Sequence, residues 1–390
     1  ALKHAVRGLA WVAGGAVVVS TSSHPAIGEV KCRFGTEMYK KFMWPILALQ
    51  DPESSHELSV WMAKNGLTPI DRVAENPALK VNVFGKEFRN PLGLAAGCDK
   101  HGEAVKGFMN MGFGFVEVGS VTPQPQPGND KPRMFRLTED QGVINRYGFN
   151  SHGAEEVFER LKAIRESGQE LRGNLAINLG KNKTADAIPD YVYGVKKFGE
   201  LADFLVVNIS SPNTPGLRQL QSRKELEGLI SAVMKVRNES CPKVPLLVKI
   251  APDLTDTELK EICQVATKMK VDGMVVTNTT ISRPESLTGA AKEETGGLSG
   301  LPLKDMSTEV IRKVYKLTGG KLPLIGVGGV GTGQDVYDKI RAGASLVEMY
   351  SRLAYEGPWS PPKIKLELSR LLKADGFENV ADAIGADAKK

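Results

Sequence analysis

The chain has 390 residues, 41% hydrophobic and 25% charged, the composition of one large globular domain with additions. Its net charge of +6 suits small anions or an anionic membrane surface; without a long basic block, no nucleic-acid partner is expected. Cys32, Cys98, Cys241 and Cys263 lack CxxC spacing and the five histidines form no HExxH pair, so neither a disulfide framework nor a metal is expected.

Lys3 and Arg7 precede a stretch, residues 8–28, with no Asp, Glu, Lys or Arg. About 20 such residues can just span a bilayer as a helix, although Ser20 to Pro25 is only weakly apolar. A membrane anchor, a targeting segment and a loose tail compete. Residues 34–66 read as two short helices. Phe34, Met38, Phe42, Ile46 and Leu49 recur at helical spacing; Asp51 then suits an N-cap and Pro52 a first helical position. The pair would either pack on a core or form an apolar cap that touches lipid. Expected boundaries are 1–30 for the targeting remnant and anchor, 31–70 for the helical unit and 71–390 for the rest.

VNVFGKEF (81–88) reads as a hairpin turning near Gly85 that plugs one end of the following domain. From Pro91 the chain alternates. Strand-like runs fall at 91–97, 114–121, 175–180, 203–210, 245–252, 273–280, 322–329 and 345–351. Helical periodicity follows at 154–166, 222–237, 255–269, 303–317, 333–342 and 360–373. Buried strands alternating with amphipathic helices indicate a parallel sheet. Eight of them match an α/β fold, a closed (β/α)8 TIM barrel, with an open doubly wound sheet as the alternative. Residues 122–174 and 281–302 are long for simple connections and read as loops at one face.

Chemistry in such barrels gathers at the C-terminal strand ends. Here those ends carry Ala95, Ala96, Gly97 and Lys100, then Ser120, Asn178 and Asn208 with the Ser211–Thr214 loop. Lys249, Thr277, Asn278, Thr279, Gly328, Gly329, Tyr350 and Ser351 follow. Amides offer both a donor and an acceptor, which suits a neutral ring of alternating N–H and C=O. Lys249, inside LLVKIAP, is costly to bury unpaired: it is either a structural ion pair or a fixed cation facing developing negative charge. GVGG after the seventh strand can cradle phosphate through backbone N–H groups. Together these suggest a flat phosphorylated cofactor, and flavin mononucleotide (FMN) fits. A flavin-free lyase or isomerase would need an acid or histidine at a strand end; Asp253 and Glu117 are the candidates, neither with an evident partner. A membrane-anchored scaffold would not need the Ser211, Lys249 and asparagine set.

NISSPNTPGLRQLQ, VINRYGFNSHG, LVKIAPDLT, VVTNTTISRP, ETGGLSGLPL and IGVGGV…AGASLVEMYS closely resemble the class 2, quinone-linked dihydroorotate dehydrogenases. The resemblance runs from about residue 34 to the C-terminus. It implies oxidation of dihydroorotate to orotate in pyrimidine synthesis. Ser211 would be the base that takes the C5 proton while hydride leaves C6 for N5 of FMN, with Thr214 and Phe149 relaying or shielding the proton. Serine rather than cysteine at this position separates class 2 from class 1. Lys100, Asn145, Arg146, Tyr147, Gly148, Phe149, Asn208, Asn213, Thr214, Asn278 and Thr279 would hold substrate. Ala95, Ala96, Gly97, Ser120, Asn178, Asn208, Lys249, Thr277, Ser299, Gly300, Gly328, Gly329, Tyr350 and Ser351 would hold FMN. Met43, Ile46, Ser55, His56, Met62, Leu67, Arg136, Tyr350 and Pro358 would line a ubiquinone tunnel, with His56 and Arg136 bonding quinone carbonyls. The resemblance further implies a monomer touching inner-membrane lipid. It would cross the mitochondrial inner membrane once, the barrel facing the intermembrane space and Lys3 and Arg7 the matrix.

Overall fold

The computed structural model describes residues 25–388. Three helices open it: α1 (Pro25–Met38), α2 (Trp44–Ala48) and α3 (Pro52–Lys64), with a π-helical turn over Tyr39–Met43. Pro45 has no N–H to donate back along the helix, and Trp44 N bonds Tyr39 O five residues behind. That reset splits the single periodic run into α1, π turn and α2. The end of the second helix's lead-in behaves as read: Asp51 Oδ1 accepts from Ser54 N at 2.9 Å and Pro52 opens α3. Because α1 begins at Pro25, it crosses the expected boundary at residue 30. Most of the 8–28 anchor reading lies outside the described residues; among those described, no helix is long and apolar enough to cross a membrane.

Next come the hairpin β1 (Val81–Val83) and β2 (Lys86–Phe88), β3 (Leu92–Leu94), α4 (Val105–Asn110), β4 (Phe115–Val121), β5 (Met134–Leu137) and β6 (Gly142–Asn145). The chain continues with α5 (Ala154–Glu166), β7 (Asn174–Leu179), α6 (Ala187–Phe198), β8 (Phe204–Asn208), α7 (Arg223–Ser240), β9 (Leu246–Ile250), α8 (Asp256–Lys268) and β10 (Gly273–Val276). It ends with β11 (Gly297–Gly300), α9 (Lys304–Leu317), β12 (Leu324–Val327), α10 (Gly333–Ala342), β13 (Leu346–Met349), α11 (Ser351–Glu356) and α12 (Ser360–Ala374).

β3, β4, β7, β8, β9, β10, β12 and β13 pair in parallel and close into a barrel. This is the (β/α)8 arrangement, and the open-sheet alternative falls. All five residues of β8 and of β9 are buried, which is why these strands read as unbroken apolar runs. The helices carry their own start signals: Thr255 with Glu258, and Thr332 with Asp335, form capping boxes on α8 and α10. The hairpin closes the N-terminal end. Phe88 packs on Phe115 and Phe204, the first residues of β4 and β8, at 5.6 and 6.2 Å between ring centroids.

At the other end the two long connections are not loose. β5, β6 and β11 form a three-stranded antiparallel sheet roofing the mouth, with Ser299 opposite Val143 and Gly297 opposite Asn145. The N-terminal helices dock beside it. Glu53 and Arg133 form a buried pair at 2.8 Å, Lys40 reaches Glu356 at 2.8 Å, and Glu29 reaches Arg370 at 2.6 Å.

Candidate active site

Inside the barrel β4, β9 and β13 each turn one charged residue inward. Lys249 Nζ lies 3.1 Å from Glu117 Oε2 and 3.8 Å from Glu348 Oε2, and all three are buried. Burial works against the ammonium of Lys249, but Glu117 and, behind it, Glu348 together outweigh that and raise the lysine. So the ion-pair reading of Lys249 holds, and Glu117 has the partner that its sequence context hid. Asp253 has one too, Arg218 at 2.9 Å. The missed signal was the pattern itself: GFVEVGSV and SLVEMYS bury a charge in an apolar run just as LLVKIAP does.

From Glu117 an amide network climbs toward the mouth. Asn178 Nδ2 donates to Glu117 Oε1 at 2.8 Å, and Ser120 Oγ donates to Asn178 Oδ1. Asn208 Nδ2 donates to Ser120 Oγ at 3.0 Å, and Asn278 Nδ2 to Asn208 Oδ1 at 3.3 Å. Thr279 N donates to Asn278 Oδ1 at 2.7 Å. Residues from four strands thus fix one another's orientation, which each buried amide requires.

Beside this network lies an open cavity lined by Ala95, Ala96, Lys249, Thr277, Ser299, Gly300, Gly328, Gly329, Glu348, Tyr350 and Ser351 among others. Gly328 and Gly329 have φ of 124° and 73°, and a Cβ on Gly329 would sit 2.9 Å from Lys304 N. The chain there is bare because nothing larger fits. Ser299 and Ser351 hydroxyls bond each other at 2.7 Å across the same end. Gly97 also has positive φ, and a Cβ there would lie 3.3 Å from the Tyr350 ring. Exposed backbone and hydroxyls at one end with Lys249 at the other fit a flat, phosphate-bearing cofactor such as FMN.

The Ser211 loop faces the roof. Ser211 is buried, and its Oγ accepts from Asn213 N at 3.3 Å; Thr214 Oγ1 is buried with no hydrogen-bond partner. Asn213 Nδ2 donates to Asn145 O at 3.0 Å, tying the loop to β6. Phe149, at φ 55°, lays its ring where a Cβ on Gly180 would be 3.2 Å away. Gly148 also has positive φ. The Arg146 side chain does not join the site: it pairs with Glu294 at 2.5 Å and stacks on Phe135.

Lys100 lies 4.1 Å over the Tyr147 ring and 3.5 Å from His56 Nδ1. His56 Nε2 is 2.7 Å from Cys98 O. A carbonyl only accepts, so the proton sits on Nε2 and Nδ1 is left to accept from Lys100. Burial pushes His56 down to about 3, in keeping with this neutral ring. His56 is therefore already engaged rather than presented to a channel. Arg136 likewise donates to Gln50 O at 2.8 Å, at the C-terminal end of α2. Ser55 Oγ bonds Leu47 O at 3.2 Å, and Met43, Met62, Leu67 and Pro358 are half-buried around these helices while Ile46 is exposed. Tyr350 joins the two regions, its ring 6.0 Å from that of His56.

Fold and mouth together define a (β/α)8-barrel protein whose ligand site lies at the C-terminal ends of its strands. The family model for dihydroorotate dehydrogenase matches residues 78–372. The mitochondrial quinone-type dihydroorotate dehydrogenase of Mus musculus is 52% identical over 386 residues, covering 97% of this chain and 96% of the mouse protein. That of Oryza sativa subsp. japonica is 47% identical, covering 100% and 87%. A crystal structure of DHODH from Eimeria tenella in complex with ferulenol superposes with a TM-score of 0.85 at 46% identity, covering 88% of this chain and 97% of that one. The chain belongs to the dihydroorotate dehydrogenase family.

Proposed function

We propose that the protein oxidises dihydroorotate to orotate in pyrimidine synthesis and passes the electrons to a quinone. The family membership and the cavity beside the Ser211 loop support this reading. FMN in that cavity would supply the hydride acceptor. The chain's own residues do the rest. Lys100 meets the substrate carboxylate, and the carboxamides of Asn145, Asn208, Asn213 and Asn278 complement the ring's N–H and C=O groups. Ser211 Oγ takes the C5 proton. A hydroxyl is a poor base at neutral pH and needs a partner to pass the proton on. Thr214, with its unpartnered buried Oγ1, is that partner. Phe149 keeps bulk water from the reacting carbons. Lys249, a cation in the cavity wall, would offset negative charge developing on the group held there.

The α1–α3 helices form the quinone entrance, and their exposed Val30, Phe34, Phe42, Leu49 and Trp61 rest on lipid of the mitochondrial inner membrane. The anaerobic visible spectrum tests the whole reading. A yellow protein that bleaches with dihydroorotate and recovers with short-chain ubiquinone is expected. A colourless protein as isolated, with no colour gained on adding FMN, would overturn the cofactor. A yellow one indifferent to dihydroorotate would overturn the substrate.

A further inference from the structure

Glu117 and Glu348 are both fully buried in the barrel, yet their surroundings are opposite. Glu117 takes three donors: Lys249 Nζ at 3.1 Å, Asn178 Nδ2 at 2.8 Å and Ala96 N at 3.0 Å. That is the environment of an ionised carboxylate. Glu348 is 0% exposed, lines the cavity, and neither of its carboxyl oxygens meets a donor among the described residues. Its register partners on the neighbouring strands are Gly93 and Val327, which carry no polar side chain. Lys249 is the nearest cation and stands off at 3.8 Å, committed to Glu117. An ionised carboxylate so placed would lack both hydration and hydrogen bonds.

We propose that Glu348 is a positioning residue that carries its own proton beneath the cavity, so that Glu117 is the sole countercharge of Lys249. Burial and the adjacent Glu117 carboxylate both push the Glu348 carboxyl upward. The cluster then has one cation, one anion and one neutral acid, with no net charge. Lys249 keeps its ammonium available to whatever occupies the cavity, and the neutral acid adds no negative charge to oppose an arriving electron pair. Two ionised glutamates would instead make the layer net negative and resist reduction of the occupant.

This inference rests on reading the cavity as the flavin site, and its test separates the two. In protein labelled with 13C-glutamate, infrared spectroscopy near neutral pH should show the carbonyl stretch of a protonated carboxylic acid, and Glu348→Gln should remove it. In the holoprotein, Glu348→Gln, which keeps shape and neutrality, should leave the flavin midpoint potential where it is. Glu117→Gln, which removes the countercharge, should raise it. Persistence of the band in Glu348→Gln, or a rise in potential matching that of Glu117→Gln, overturns the proposal. If Glu348→Gln does not fold, the labelled wild type decides: no protonated-acid band overturns the proposal and a band supports it. A protein that cannot be loaded with FMN overturns the flavin reading alone, because the infrared arm reads Glu348 without the cofactor.

Discussion

Lys100 holds its charge against its surroundings, since burial pulls it down to about 8. A lysine lowered in this way is charged below about pH 8 and neutral above it, so a contact that needs the cation is lost as pH rises. Orotate affinity should therefore fall by about tenfold per pH unit above that point in a calorimetric titration. Lys100→Arg, charged throughout, should flatten the profile. Ser211→Ala makes a separate prediction: flavin stays bound, but stopped-flow reduction by dihydroorotate slows by about 100-fold or more. Reduction at the wild-type rate would remove Ser211 from the mechanism. At this scale the strand-end amides, Ser211 and Lys249 were all legible, because polar residues closing apolar runs are conspicuous. The partners were not. Nothing local says that Glu117, 132 positions from Lys249, faces it across the barrel, or that His56 is spent on Cys98 and Lys100.

Among the elements, α3 is the one that joins the helical unit to the site, and its hold depends on Glu53. Burial pushes the Glu53 carboxyl up, but the Arg133 guanidinium and, after it, the Lys131 ammonium together outweigh this and keep it below the usual range. The pair therefore stabilises the docked helix above the ordinary carboxylate range, and that contribution is lost as pH falls through the Glu53 value. Glu53→Gln leaves Arg133 buried and unmatched. It should cost about 3 kcal/mol in urea unfolding near pH 7, a difference that shrinks in acid. On α1, a Cβ on Gly35 would overlap the Trp359 ring at 2.6 Å. Gly35→Ala should lower stability by about 1–3 kcal/mol or expose α1 to limited proteolysis. The eight barrel strands were readable because each is short and apolar and most are followed by a periodic helix; the helices at Val105–Asn110 and Ala187–Phe198 were not read. The roof was not. β5, β6 and β11 are four residues each, and β6 pairs with a strand that begins only at Gly297. The π turn was hidden because the apolar spacing runs straight through it.

For the whole molecule, seven of the fourteen large apolar side chains exposed among the described residues fall in the short N-terminal helical stretch between residues 27 and 61. Phe42 and Leu49 are 51% and 89% exposed. Phe42→Asp combined with Leu49→Asp should abolish flotation with anionic phospholipid vesicles while reduction of a soluble dye by dihydroorotate continues. Loss of both activities together would mean that the helices are needed for folding and not for lipid.

The roof and the barrel seam share a property that bears on how the molecule is made. β3 finds its last neighbour only in β13, β6 waits for β11, and α1 rests on Arg370 of α12. A ribosome releases each of these partners long after the strand or helix that waits for it. A nascent chain stopped short of residue 346 has an unsealed barrel, and one stopped short of residue 297 lacks the third strand of the roof. Long-range pairing of this kind is slow to form. The growing polypeptide therefore carries unpaired strand edges until β13 has been made, and only then can the barrel mouth be complete.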